Sequence, residues 1–242
     1  MLSRRTLGGL LACLLIFTLA PIRANELEPF HAEFKLKFAI FSGDVSLDLR
    51  PDEEPGHYTY EVITEARGLA KTVLRETAVE TTSFALEGEE IIPEEYHLDD
   101  GRGKTENQTD IEFDWKAGKA YSRYEGEDLT TSIEPGVLDR LSADIVVIMA
   151  LREGKSPGDY PVFDGEDIET YEFIRLGEES VSVPAGEFDA VKYRRQRPGS
   201  RRSTLIWYAP DQDYLPVKIE QQKDNKTSVT MVATLLQPGT VN

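Results

Sequence analysis

The chain has 242 residues, 44 of them acidic and 27 basic, and a formal net charge of −17 at pH 7. Nucleic acid and anionic membrane surfaces would repel a chain with that overall charge. The one cysteine, Cys13, falls in an N-terminal leader, so we expect neither a disulfide nor thiol chemistry in the rest of the chain.

Residues 1–24 have the pattern of a cleaved secretory signal. Arg4 and Arg5 supply the positive start, residues 10–20 are almost wholly apolar, and Ala24 is the small residue that a signal peptidase needs. The paired arginines also fit twin-arginine export, which stays open beside the favoured general route. About eleven apolar residues are too few to span a bilayer. We therefore expect a periplasmic protein, not an integral membrane protein, with residues 25–242 forming a single β-rich domain.

Most of the chain has the alternation of half-buried strands. Apolar and mainly polar residues alternate over Phe30–Phe38, and residues 42–44 then predict a turn. Short runs of the same kind follow, separated by turn residues. These runs are 45–49, 58–62, 77–86, 94–98, 109–115, 120–124, 170–176, 178–183, 188–196, 203–208, 215–221 and 227–236.

One helix interrupts the strands, at about 137–152. Its apolar residues recur at helical spacing, and Gly154 with Pro157 provides a stop. A single apolar helix between strands should cover the open face of a sheet. The sequence therefore predicts a mainly β fold, an antiparallel meander that forms a curved sheet or a barrel-like sandwich with one central helix.

No catalytic constellation emerges from the sequence. The three histidines lack metal-ligand spacing, no G-x-S-x-G motif occurs, and carboxylate pairs cannot be chosen without geometry. We therefore name no catalytic residue and expect no metal or other cofactor.

One basic cluster departs from the acidic background. It puts six positive charges in eleven residues and contains a Pro-Gly-Ser turn, so we expect a hairpin. Arginine binds phosphate and carboxylate with two hydrogen bonds, which suits a lipid headgroup, lipopolysaccharide or a peptidoglycan fragment. The other interpretation is that these side chains pair with acids on adjacent strands. The anion-binding candidates are Lys192, Arg194, Arg195, Arg197, Arg201 and Arg202.

Aromatic side chains on the predicted strands are candidates to line an apolar cavity, although core filling is the usual role of such residues. The cavity candidates are Phe34, Phe38, Tyr58, Tyr60 and Trp207.

Three ordered motifs in the second half, 184–192, 206–210 and 215–219, resemble the bacterial exported family called domain of unknown function 3108. Residues 138–142 resemble that family's entry into its central helix. The resemblance covers about 30–236 and implies a β-rich envelope protein of Gram-negative bacteria with no assigned reaction. A weaker, architectural analogy is to periplasmic lipoprotein carriers, in which a curved sheet wraps a helix.

We therefore predict an exported, non-catalytic protein that binds an amphiphilic envelope component or a partner protein. Two alternatives stay open. One is a hydrolase of envelope glycans or phosphodiesters that uses carboxylates, and the other is a structural protein whose strand edges pair with envelope partners.

Overall fold

The computed structural model describes residues 26–68, 71, 77–104, 106 and 108–240. The predicted signal at 1–24 lies outside these ranges. The elements are β1 (Phe30–Phe38), β2 (Phe41–Pro51), β3 (His57–Arg67), β4 (Ala78–Glu87), β5 (Glu90–Asp99), β6 (Gln108–Asp114), β7 (Lys119–Tyr124), β8 (Glu127–Ser132), α1 (Arg140–Arg152), β9 (Tyr160–Phe163), β10 (Ile168–Val183), β11 (Gly186–Gln196), β12 (Arg202–Ala209), β13 (Leu215–Lys223) and β14 (Lys226–Pro238).

All fourteen strands belong to one antiparallel sheet. Its order is β8-β7-β6-β5-β4-β3-β2-β1-β14-β13-β12-β11-β10-β9, so every strand except β8 pairs with the next strand in the chain, and β1 also pairs with β14. The sheet curves without closing into a barrel, because no ladder joins β8 to β9. The predicted fold class, a mainly β curved meander with one central helix, is confirmed.

Alternation along the strands gives the sheet one apolar face. In β2, for example, Val45, Leu47 and Leu49 are buried while the residues between them are partly exposed. Each such side chain stabilises the fold by roughly 1.5–3 kcal/mol relative to an exposed position. The curved sheet folds this face inward around α1.

Helix α1 begins at Arg140 because Asp139 caps it. The Asp139 carboxylate accepts hydrogen bonds from the backbone N–H of Leu141 and Ser142, and the Ser142 hydroxyl accepts one from the N–H of Asp139. This reciprocal pair satisfies backbone donors that a helix start leaves free. The helix therefore starts three residues later than the predicted 137.

Contacts to both halves of the sheet hold the helix in place. The Thr82 hydroxyl on β4 donates to Asp139 over 2.7 Å. At the other end, the Arg152 guanidinium lies 2.6 Å from the carboxylate of Asp213, in the turn before β13. Helix α1 also packs against β5 and β9. The helix therefore joins the two halves of the molecule through its two ends.

Side chains, not a strand ladder, hold the two ends of the sheet together. The ring of Phe113 on β6 meets that of Phe163 on β9 edge to face, with centroids 6.4 Å apart. The Ser122 hydroxyl on β7 donates to the carbonyl of Gly165, in the turn after β9, over 2.6 Å. A Cβ at Gly165 would lie 2.7 Å from Thr109 Cγ2, so only glycine allows this approach. We call this contact between β6–β7 and the β9–β10 turn the seam.

The predicted turn at residues 42–44 is wrong. The chain turns instead at Ala39 and Ile40, and β2 runs straight through Gly43. A Cβ at Gly43 would lie 2.7 Å from the carbonyl oxygen of Glu65, so this glycine lets the neighbouring strand approach closely.

Candidate functional site

A cleft of about 690 Å³ opens where the inner face of β11–β14 meets the start of α1 and the loop after β5. Its charged lining consists of Arg102, Arg140, Arg195, Arg197, Arg202, Lys223 and the single carboxylate Asp164. Six cations therefore face one acid, in a chain with a net charge of −17. We call this site the basic cleft.

Register explains why four of these cations share a face. Arg195 pairs with Thr204 between β11 and β12, and Arg202 pairs with Lys223 between β12 and β13. Because side chains alternate along a strand, Arg195 and Arg197 point to the same side of the sheet. The strand pairing thus places cations from three successive strand ends around one opening.

An ion pair with the helix fixes Arg195. Its guanidinium lies 2.5 Å from the Asp144 carboxylate on α1 and 5.4 Å from the centre of the Tyr171 ring. Burial disfavours the charge on Arg195, but the combined attraction of Asp144, Tyr171 and Tyr208 outweighs burial and raises the pKa of the guanidinium. Burial raises the pKa of Asp144 despite the nearby arginine. Both side chains are less than a third exposed, so the pair is partly shielded from water.

A polar cluster continues below the cleft toward β4. The Tyr96 hydroxyl donates to Glu80 over 2.6 Å, and the Arg140 guanidinium lies 3.7 Å from the same carboxylate. Attraction to Glu80 raises the pKa of Arg140, so the arginine keeps its charge. Burial raises the pKa of Tyr96, which therefore acts as a neutral donor.

The six anion-binding candidates divide between two faces. Arg195, Arg197 and Arg202 line the basic cleft. Lys192 and Arg194 alternate with Arg195 and so lie on the outer face.

Ion pairs also distinguish the candidates that lie near the turn of this hairpin. Arg197 contacts the Glu169 carboxylate, and Arg201 lies 3.7 Å from that of Asp224. Within the described ranges, no carboxylate lies at ion-pair distance from Arg202. Pairing with acids therefore applies to Arg195, Arg197 and Arg201, whereas anion binding by the residues of the basic cleft stays a prediction.

On the outer face, Lys192 takes part in a different arrangement. Its ammonium lies 4.4 Å from the centre of the Trp207 ring, and that of Lys218 lies at the same distance. The Trp207 indole N–H donates to Glu179, which also accepts from Lys192. These lysines therefore cover an aromatic ring and do not contribute to the cleft.

Four of the five cavity candidates are buried, three of them inside the sheet and Trp207 beneath the lysines of the outer face. Phe34, Tyr58, Tyr60 and Trp207 are each at most 4% exposed, and none lines the basic cleft. Phe38 differs, because it is 47% exposed and lies on the wall of the basic cleft.

Sequence reasoning missed Arg102, Arg140 and Lys223 as cleft residues and Asp144 as the partner of Arg195. One signal was available. Arg140 and Asp144 lie four residues apart on a helix that is otherwise mostly apolar, so both fall on one face. A charged pair at that spacing on a buried helix requires polar partners from the sheet.

A second cleft, of about 700 Å³, lies on the outer face of β3–β8. We call it the acidic groove. The lining includes the carboxylates Glu95, Asp110, Glu112 and Asp128, the cation Arg123 and His97. His97 lies 2.7 Å from Asp110, and Arg123 lies 2.9 Å from Asp128.

Among the residues that the structure describes, no three His, Cys, Asp or Glu side chains are grouped closely enough to hold a metal ion. No helix within the same ranges combines the length and apolar content that crossing a membrane requires.

Comparisons with solved structures find distant matches. A beta-barrel-like protein of domain of unknown function DUF1849 from Brucella abortus is 9% identical, with a TM-score of 0.49, over 88% of this chain and 98% of that one. The MucA/MucB complex of Pseudomonas aeruginosa matches at 10% identity and a TM-score of 0.38, over 88% of this chain and 53% of that one. This chain therefore spans about half the length of that match.

A structure described as an exported protein with a YmcC-like fold, from Bacteroides fragilis, is 12% identical, with a TM-score of 0.37, over 88% of this chain and 97% of that one. A search of curated proteins gave no match. The family model described as a protein of unknown function, DUF3108, matches residues 32–234, which confirms the resemblance seen in the sequence. The chain therefore belongs to the DUF3108 family, whose function is unassigned.

Proposed function

We propose that the chain is an exported, non-catalytic periplasmic protein that binds the anionic group of an amphiphilic envelope component in the basic cleft. One observation carries the proposal. Six cations and a single carboxylate line a cleft of about 690 Å³ in a chain with a net charge of −17. A random surface of this chain would be acidic, so the local excess of positive charge favours an anionic ligand.

The cleft has the chemistry to hold a phosphate or carboxylate. Arg202 and Lys223 face each other across β12 and β13, and within the described part of the chain neither has a carboxylate at ion-pair distance. Arg195 is held in place by Asp144, so its orientation costs little entropy when a ligand binds. A guanidinium offers two parallel donors to an anionic group, which adds geometric specificity.

Apolar residues on the rim of the basic cleft favour an amphiphilic ligand. Phe38 and Val229 pair across β1 and β14 and both line the cleft, on the side opposite Arg195. A ligand with an anionic group and an adjacent apolar part would contact both kinds of wall. A phospholipid headgroup or lipopolysaccharide has that composition, whereas a peptidoglycan fragment offers only the anionic part.

The periplasmic location is part of the proposal and is supported by the signal-like residues 1–24. The edges of the sheet argue against a structural role through strand pairing. Edge strand β8 has six residues and β9 has four, which gives a partner strand little backbone to pair with.

Calorimetric titration with dihexanoylphosphatidylglycerol, dispersed as monomers, tests the proposal. We expect the double variant Arg202→Gln/Lys223→Gln to weaken binding by about tenfold or more, because each cation makes a charge-assisted contact. Neither Arg202 nor Lys223 has an ion pair among the described residues, so the double variant should fold. Arg123→Gln in the acidic groove is the matched control and should leave the affinity unchanged. Failure of the wild type to bind, or equal affinity of all variants, would overturn the proposal.

One observation favours hydrolysis as a second candidate function. Burial raises the pKa of Asp144, which lies beside the basic cleft, and a neighbouring carboxylate, Glu80, raises it further. A carboxyl with a raised pKa can act as a general acid. Asp144→Asn distinguishes the candidates. A hydrolase would lose turnover of a phosphodiester or glycan substrate, whereas a binding protein would show no turnover before or after the substitution.

A further inference from the structure

Three hairpin turns that are adjacent in space lie at one end of the sheet. The order β2-β1-β14-β13-β12-β11 places the β1–β2, β13–β14 and β11–β12 turns side by side, because antiparallel neighbours turn at the same end. We call residues 37–41, 197–202 and 223–226 together the hairpin end. The basic cleft opens beside it, since Phe38, Arg197, Arg202 and Lys223 belong to both.

The first of these turns exposes apolar side chains at its tip. Ile40 is 79% exposed, and Phe38, 47% exposed, stacks on Phe41 with ring centroids 6.4 Å apart. Ile40 is the most exposed of the large apolar side chains in the described ranges. Water solvates such a tip poorly, so a surface that buries it would be favoured.

Turn chemistry does not explain these residues. The two-residue loop has Ala39 at a φ of 51°, a backbone conformation that favours Gly, Asn or Asp. A β-branched residue follows it at the tip. The sequence therefore keeps an apolar, mildly strained tip where an Asn-Gly pair would give a more stable turn, which indicates a role outside the fold.

The same three turns are strongly basic. They hold six cations and one acid, and the acid, Asp224, is 3.7 Å from one of the cations, Arg201. Four of the six have no carboxylate at ion-pair distance among the described residues. These four are Lys37, Arg202, Lys223 and Lys226.

We propose that the hairpin end docks on the surface of an anionic phospholipid bilayer, with Phe38, Ile40 and Phe41 inserted among the headgroups and the cations at the level of the phosphates. The apolar side chains at the tip would contact the boundary between headgroups and acyl chains, and the cations around them would contact the lipid phosphates. The inference deepens the proposed function, because the basic cleft opens at the docked end and would take its anionic ligand directly from the bilayer.

The overall acidity of the chain does not prevent this contact. Charges separated by more than about 8 Å are largely screened at physiological ionic strength. A docked bilayer therefore interacts mainly with the turns at this end, where the hairpin end itself holds six cations and one acid and the adjacent β9–β10 turn and the start of β10 place Asp164 and Glu169 beside Arg197. The proposal thus limits the expected repulsion by anionic membranes to the surface outside this end.

Sedimentation with lipid vesicles tests the docking. We expect wild-type protein to sediment with vesicles that contain phosphatidylglycerol and much less with pure phosphatidylcholine. Ile40→Ser should weaken this binding by about tenfold, because the side chain loses its burial among headgroups. Ile174→Ser is the matched control, since Ile174 is also exposed, at 40%, but lies on β10. It should bind vesicles like the wild type.

Charge at the docking face is tested separately from the cleft. Lys37 and Lys226 belong to the hairpin end but do not line the basic cleft. We expect Lys37→Gln/Lys226→Gln to weaken vesicle binding by about tenfold and to leave binding of dihexanoylphosphatidylglycerol monomers unchanged. No sedimentation of the wild type, equal binding to both kinds of vesicle, or equal loss in Ile40→Ser and Ile174→Ser would each overturn the docking.

The two assays also separate this inference from the proposed function. If monomers bind and vesicles do not, the docking is wrong and the ligand-binding function stands. If vesicles bind through Ile40 and monomers do not bind, the docking stands and the ligand-binding function is wrong.

Discussion

The basic cleft and the acidic groove have almost the same volume, about 690 and 700 Å³, but opposite charge. The acidic groove is lined by residues of consecutive strands on one half of the sheet. The basic cleft takes its cations from the loop after β5, from α1 and from three strands of the other half. The groove therefore has the acidity that the composition predicts, whereas the cleft requires segments far apart in sequence to converge.

The two sites also differ in how their charges are held. Arg195 of the basic cleft and its partner Asp144 are 21% and 31% exposed, whereas Arg123 and Asp128 of the acidic groove are 51% and 75% exposed. An ion pair that is shielded from water holds its two side chains in place, because separating them would leave a buried charge unpaired. An exposed ion pair is screened by water and is held less firmly. This contrast indicates that the cleft is a built site and the groove an ordinary solvated face.

Among the variants that test this difference between the two sites, Asp144→Ala should lower the free energy of unfolding most. It leaves the Arg195 guanidinium shielded and without its partner, so we expect a loss of about 2–4 kcal/mol in the free energy of unfolding. Urea denaturation followed by circular dichroism measures it. The double variant Asp144→Leu/Arg195→Met should recover most of the loss, because no charge is left unpaired. A double variant as unstable as Asp144→Ala would show that packing, not charge, holds this part of the helix.

Gly165→Ala tests the seam, which brings the half that carries the groove against the half that carries the cleft. The added methyl would lie 2.7 Å from Thr109 Cγ2, and the residue has a φ of +107°. We expect a loss of about 2–3 kcal/mol in the free energy of unfolding. Gly126→Ala is the control, because Gly126 also has positive φ, +84°, but has nothing within 4 Å of the added Cβ. It should lose only about 1 kcal/mol, and equal losses would contradict the steric account.

Asp139→Asn should produce a smaller, pH-dependent effect at the start of the helix. Burial raises the pKa of Asp139, so its carboxyl keeps a proton to higher pH in the folded chain than in the unfolded chain. Its contribution to stability is therefore greatest at low pH and declines as the pH rises through the raised pKa.

Asparagine also caps helices but does not titrate. The variant should therefore gain stability relative to the wild type as the pH rises above about 4, the usual pKa of an aspartate in the unfolded chain. Denaturation midpoints at several pH values measure this, and a constant difference between the two proteins would contradict it.

Arg123→Ala in the acidic groove should have the smallest effect. The Arg123–Asp128 pair is exposed, so we expect no measurable change in thermal midpoint or in binding of the anionic probe. A clear destabilisation would remove the distinction between a built cleft and a solvated face.

Local pattern predicted most of the fold. The bounds of β1, Phe30–Phe38, are those expected from alternation alone. Pattern missed β8 and β9, because short edge strands bury little and β8 is largely polar. Two predicted strands, 170–176 and 178–183, form the single strand β10, in which Gly177 lies at a bulge opposite β11.

The site was predictable only in part. The hairpin of β11 and β12 was visible as a cluster of arginines, and three of its six candidates line the cleft. The other cations come from Arg102, Arg140 and Lys223, which are brought there by the curvature of the sheet. No local sequence pattern indicates which distant segments a curved sheet will bring together. These three residues could therefore be assigned to the cleft only from the structure.

The seam has a mechanical consequence. A closed barrel can widen only by breaking backbone hydrogen bonds along a whole strand. In this sheet, the edge strands β8 and β9 are not joined by a ladder. The two ends of the sheet can separate with every strand ladder intact, but only if the Phe113–Phe163 ring contact, the hydrogen bond from Ser122 to Gly165 and the contacts of α1 to one half of the sheet are all lost. We therefore expect the amides nearest the seam to exchange with solvent before those of the central strands.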